Sequence, residues 1–98
     1  FSASEFFAGG MQDIGRARVF GTATLGWALG ASFTRLPNGD VMEHAVMDFT
    51  VPSGRRLEAS GVIPDEPVPL RRDALLQGGD PALDAALLWI EEELAKHD

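Results

Sequence analysis

Residues 2–15 constrain the fold of this chain more than any other stretch. Ser2-Ala3-Ser4-Glu5 has the S-x-x-E spacing of a capping box, in which a serine and a glutamate satisfy orphan backbone N–H groups at a helix start. Ala3, Phe6, Phe7, Gly10, Met11 and Ile14 then recur at spacings of three and four. That periodicity predicts a helix over 2–14 with one apolar stripe, leaving Glu5, Gln12 and Asp13 off it. Gly15 is the natural stop, in the C′ position. Gly9 and Gly10 lie inside the helix and cost about 1 kcal/mol each relative to alanine, so something is expected to pack close against them. A serine at such a helix start sits where backbone N–H groups and the helix dipole favour developing negative charge.

Arg18-Val19-Phe20 reads as a short strand ended by Gly21, followed by a loop over 22–27 with a tight turn at Gly26. Residues 28–36 and 41–51 read as two strands around Pro37-Asn38-Gly39-Asp40. A two-residue Asn38-Gly39 turn, with positive φ at both positions, would set Leu36 opposite Val41, Gly30 opposite Met47 and Ala28 opposite Phe49. Both faces of this hairpin are apolar, so both are expected to be covered. Pro52-Ser53-Gly54 turns the chain, 56–62 is short and extended, and Pro64, Pro67 and Pro69 break regular structure. Residues 70–77 allow a helical turn or two before a Gly78-Gly79 linker. Asp80 is the expected N-cap of a final helix over 80–96, with Pro81 at its first position. Leu83, Leu87, Ile90 and Leu94 form the expected stripe of that helix, widened by Ala86 and Trp89.

Ninety-eight residues, 45% of them hydrophobic, suit one small domain with a packed core. A net charge of −7 and the lack of a basic stripe exclude nucleic acid and anionic membrane surfaces as partners. Glu91, Glu92 and Glu93 are expected to be a solvated helix face. There is no cysteine, hence no disulfide framework and no thiol chemistry. No apolar run is long enough to span a bilayer. No charged-then-apolar leader is visible, which says nothing because Phe1 is not a natural start, and the chain is expected to be cut from something longer. His44 and Asp48 share one side of a strand, four residues apart, which would allow a His–Asp pair or two metal ligands. No third ligand is evident, so neither metal nor cofactor is implied, and His44 is read as a hydrogen-bonded strand histidine. Trp27 either fills core space or lines a groove near Ser2; Trp89 suits core or partner packing.

Several short pieces now fall in order: Ser2-Ala3-Ser4-Glu5, Ala8-Gly9, Gln12-Asp13, Gly15-Arg16-Ala17, Val19-x-Gly21, Pro52-Ser53-Gly54-Arg55, Gly61-Val62-x-Pro64-Asp65 and Gly79-Asp80-Pro81-x-Leu83. This series resembles the carboxyl-terminal processing peptidases, also called tail-specific proteases, over essentially the whole chain. The resemblance implies an α/β fold, the C-terminal portion of a crotonase-like or Clp-protease-like core, with residues 1–98 as a single-domain fragment whose upstream part is absent. It implies a serine endopeptidase acting on protein or peptide substrates through an acyl-enzyme, with Ser2 as nucleophile and the Ala3 N–H in the oxyanion hole.

One branch of that family takes its base from a lysine in a Phe-Gly-Lys-Gly turn. Here the turn reads Leu25-Gly26-Trp27-Ala28, and Trp27 cannot accept a proton. Lys96, the sole lysine, is read as a solvated helix-end charge. The tricorn-like branch instead uses serine, histidine and glutamate. Its glutamate falls on Glu58, three residues before Gly61, where it would orient the catalytic group; its histidine lies upstream of this chain. Gly26 and Trp27 would then border the substrate groove. The isolated chain is expected to turn over little or nothing, since Ser2 lacks a base. The alternative is a non-catalytic peptide-binding or scaffolding relative, which the change to Trp27 favours. An acyl-CoA enzyme of the same fold is a weaker third reading, because the motifs are peptidase ones. The exposed apolar surfaces of such a fragment predict self-association. Relatives commonly act in the periplasm, cell envelope or outside the cell, a family expectation only.

Overall fold

The computed structural model describes all 98 residues. Helices and strands are mixed along the chain: α1 (Ala3–Asp13), β1 (Phe20–Gly21), β2 (Gly30–Arg35), β3 (Val41–Met47), β4 (Glu66–Pro67), α2 (Arg72–Leu76) and α3 (Pro81–His97). They fall into two compact units, one of Phe1–Ala17 with Thr24–Val62, the other of Arg18–Ala23 with Ile63–Asp98.

In the first unit, α1 ends as its sequence requires. Gly15 takes φ +70°, its N–H donates to the Gln12 carbonyl, and the Arg16 N–H donates to the Met11 carbonyl. That is a Schellman motif. The expected apolar stripe is not what α1 buries. Its buried residues are Glu5 and Gly9, while Phe7 and Ile14 are 73% and 55% exposed. Gly9 is buried because Leu57 and Val62 lie against it: a Cβ there would meet their methyl groups at 3.1–3.2 Å. Gly10, expected to be packed likewise, has open space beside it. Leu57, Val62, Ala28 and Val51 form the buried apolar core, with Phe6 edge-on to Phe49 at its margin, ring centroids 4.6 Å apart.

The hairpin β2–β3 differs from its expected register in two places. The turn holds three residues, not two: the Gly39 N–H donates to the Leu36 carbonyl, the Leu36 N–H to the Asp40 carbonyl, and only Gly39 has positive φ, +93°. This is a type I turn followed by a G1 bulge, which suits Pro37 at its second position. Val41 therefore pairs with Arg35 instead of Leu36. A second irregularity between Gly30 and Ala31 restores the expected Gly30–Met47 pair. The expected cover is not supplied within the chain: Phe33, Val41, Met42, Val46 and Met47 are 45–69% exposed. Residues 56–62 are not extended either. After an isolated Thr50–Arg56 bridge, the Gly61 N–H closes back on the Leu57 carbonyl at 2.7 Å, so Glu58 lies on a turn.

In the second unit, β1 and β4 pair in parallel, Phe20 with Glu66 and Gly21 with Pro67. The strand expected at 18–20 is thus shifted to include Gly21. The Val19 N–H is taken by the Asp65 carboxylate at 2.7 Å, and Arg18 pairs with Glu66. The Asp80 carboxylate accepts from the Ala82 and Leu83 N–H groups, capping α3 with Pro81 at its start, as expected. However, α3 turns a different face to β1. Trp89 meets Phe20 at 5.9 Å and Ala82 lies nearest Gly21, whereas Leu83, Leu87, Ile90 and Leu94 stay 45–61% exposed. Small Ala82 permits close approach to a strand only two residues long. Lys96 pairs with Glu93 at the solvated end.

Candidate active site

Ser2 precedes α1 with φ 59° and ψ −134°, a conformation L residues rarely adopt and one that recurs at functional sites. It is held there by its backbone. The Ser2 N–H donates to the Trp27 carbonyl at 2.8 Å and to Glu5 Oε2 at 2.9 Å. The Glu5 N–H goes to the Ser2 carbonyl at 2.8 Å. Ala3 is the first residue of α1, so its N–H belongs to the first turn that a helix leaves without intrahelical acceptors.

Glu5 is the hub beneath the serine. It is 1% exposed, and its other oxygen, Oε1, accepts the Gly26 N–H at 2.7 Å and the Thr24 hydroxyl. Thr24 Oγ1 in turn accepts the Val62 N–H at 2.7 Å. Burial pushes the Glu5 carboxyl up, but the Thr24 hydroxyl and the Gly26 and Ser2 N–H groups outweigh burial and hold it below the usual glutamate range. Sequence spacing identified Glu5 only as a cap. Nothing in the spacing marked Thr24.

The turn at 24–28 has no spare room. Gly26 has φ +75°, and a Cβ there would lie 2.9 Å from backbone atoms of Ala59 and Gly61. The Ala59 N–H donates to the Gly26 carbonyl at 2.8 Å. Glu58 lies beside this contact and accepts the Ala28 N–H at 2.7 Å through Oε2. Ser2, Ala3, Gly26, Trp27 and Glu58 are therefore neighbours in space. Ser2, Trp27 and Glu58 line a cavity of about 280 Å³ with Phe1, Leu29, Ala31 and Glu43. Phe1 and Trp27 meet edge to face, centroids 6.3 Å apart.

Asp13 ties the far end of α1 to the Pro52-Ser53-Gly54 turn, accepting the Ser53 N–H at 2.8 Å and its hydroxyl at 2.5 Å. Hydrogen bonds from Ser53, with Arg55 nearby, hold the Asp13 carboxyl below its ordinary value. Arg55 reaches both Gln12 and the Gly61 carbonyl at 3.4 Å. His44 and Asp48 do not pair: His44 Nε2 meets Thr34 Oγ1 at 2.8 Å, and Asp48 pairs with Arg56.

The model of peptidase family S41 matches residues 1–68. The chain belongs to this family of serine peptidases. A carboxyl-terminal-processing protease of Picosynechococcus sp. is 41% identical over 68 residues, 69% of this chain and 16% of that protein. Proteins named "Probable CtpA-like serine protease" from Staphylococcus epidermidis and Staphylococcus haemolyticus are 31% identical over 64 residues, 65% of this chain and 13% of theirs. The chain thus spans about one sixth or less of these relatives. The family match covers α1 to β4; α2 and α3 lie beyond it. No helix is long and apolar enough to cross a membrane.

Proposed function

We propose that this S41 chain is the nucleophile-bearing part of a longer serine endopeptidase, the C-terminal portion of a crotonase-like core. Ser2 attacks the peptide carbonyl and forms the acyl-enzyme; the Ala3 N–H helps stabilise the oxyanion. The observation that carries this reading is the Ser2 backbone: positive φ at a helix entry, anchored to both the Trp27 carbonyl and Glu5. Glu58, 2.7 Å from the Ala28 N–H in the turn that abuts Ser2, is suited to orient a base brought from outside these residues. With Trp27 in the lysine position, that base is a histidine, as in the tricorn-like branch. The isolated chain is accordingly inactive, and its substrates are proteins or peptides. Fluorophosphonate labelling tests the reading. Label on the longer protein that is lost in Ser2→Ala supports it. A folded longer protein that takes no label overturns it and leaves a non-catalytic peptide-binding relative, in which Ser2 only enters a helix.

A further inference from the structure

The cavity beside Ser2 has a composition the catalytic reading does not require. Its walls are apolar and aromatic: Phe1, Trp27, Leu29 and Ala31. Its charged side chains are both carboxylates, Glu58 and Glu43. Glu43 stands on β3 opposite Phe33, outside the hydrogen bonds that hold Glu58 and Glu5. Arg35 lies on the same hairpin face but is not part of the lining. Trp27 is 65% exposed, with its indole at the cavity edge. At about 280 Å³ the cavity falls at the small end of ligand pockets, enough for one side chain.

We propose that this groove takes a lysine or arginine side chain of a bound peptide. The inference rests on the Ser2 reading only in making the groove a substrate subsite; binding itself does not need the nucleophile. A long basic side chain matches both parts of the lining. Its methylene stem lies along Leu29 and Ala31, while its cation reaches Glu43 and the Trp27 face, leaving Glu58 to the base it is proposed to orient. A purely apolar side chain would fill the walls but leave Glu43 at the groove without a counter-charge. Glu43 is then a specificity residue, distinct from the groups proposed for chemistry.

The test uses the 98-residue chain, in which no hydrolysis is expected, so that binding alone is read. Two capped tripeptides are titrated, identical except for lysine or norleucine at the centre, which share the stem and differ in the charge. The two tryptophan indole N–H resonances report the site, Trp27 at the groove and Trp89 on α3 as the internal control. The lysine peptide is expected to bind about tenfold tighter than the norleucine peptide and to shift Trp27 alone. Glu43→Gln should cut that preference to about threefold or less with the spectrum otherwise unchanged, and added salt should narrow it. Equal or tighter binding of norleucine overturns the proposal. So does binding of neither peptide, a shift at Trp89 in place of Trp27, or an undiminished preference in Glu43→Gln. Lysine selectivity without fluorophosphonate labelling of the longer protein would retain the groove and remove the peptidase reading; labelling without selectivity would do the reverse.

Discussion

A buried carboxylate that accepts from Ser2, Gly26 and Thr24 keeps them satisfied only while it is ionised. Because the folded Glu5 carboxyl is held below its ordinary value, the folded state binds fewer protons there than the unfolded chain. The stability this confers is fully present above the unfolded value of about 4.3 and is lost as pH falls through the folded one. Denaturant unfolding should therefore show stability falling below about pH 4, with Asp13 adding to the loss in the same direction. Glu5→Gln presents an amide donor to donors and should lower stability at pH 7 by about 1–3 kcal/mol, with a flatter acid limb. A variant as stable as the parent at pH 7 would contradict this. The S-x-x-E spacing was enough to read Glu5 as a cap. Its second function, gripping a turn twenty residues on, is a tertiary contact that no local pattern encodes. Glu58 was singled out only through the family resemblance, since its own surroundings read as a strand, and its part in the chemistry is a proposal.

At the scale of elements, the two helix glycines separate what packing requires from what it tolerates. Gly10→Ala, with open space around it, should stabilise by about 0.5–1 kcal/mol. Gly9→Ala gains the same propensity but drives a methyl against Leu57 and Val62, for which overpacking costs about 1–3 kcal/mol. Thermal unfolding should rank Gly10→Ala above the parent and Gly9→Ala below Gly10→Ala; the reverse order would contradict the packing. Propensity alone treats the two residues alike, so their difference was not legible in the sequence. The hairpin teaches a related point. Asn38-Gly39 marked the turn correctly, yet the turn absorbs one more residue than a two-residue loop, and the Gly30 irregularity takes that residue back. The Gly30–Met47 pair was thus reached through two compensating offsets. In α3, the caps Asp80 and Pro81 are local and were legible, but the buried face is chosen by Gly21 and Phe20, far away in sequence.

Across the whole molecule, large apolar side chains remain uncovered on α3 and on the β2–β3 hairpin. Surfaces of this kind favour association, against which a net charge of −7 provides only screened repulsion. The isolated chain is therefore expected to self-associate, its weight-average mass rising with concentration in sedimentation; a constant monomer mass across dilutions would contradict that. The mixture of helix and strand was legible, because turn glycines and caps are local signals, whereas the apolar stripes of α1 and α3 did not mark the buried faces. The measurement that bears most directly on the central claim is fluorophosphonate labelling followed by mass analysis of the modified peptide. The account predicts one adduct on Ser2 in the longer protein, none in Ser2→Ala, and none in the isolated chain. An adduct on another serine, or a folded longer protein that takes no label, would contradict it.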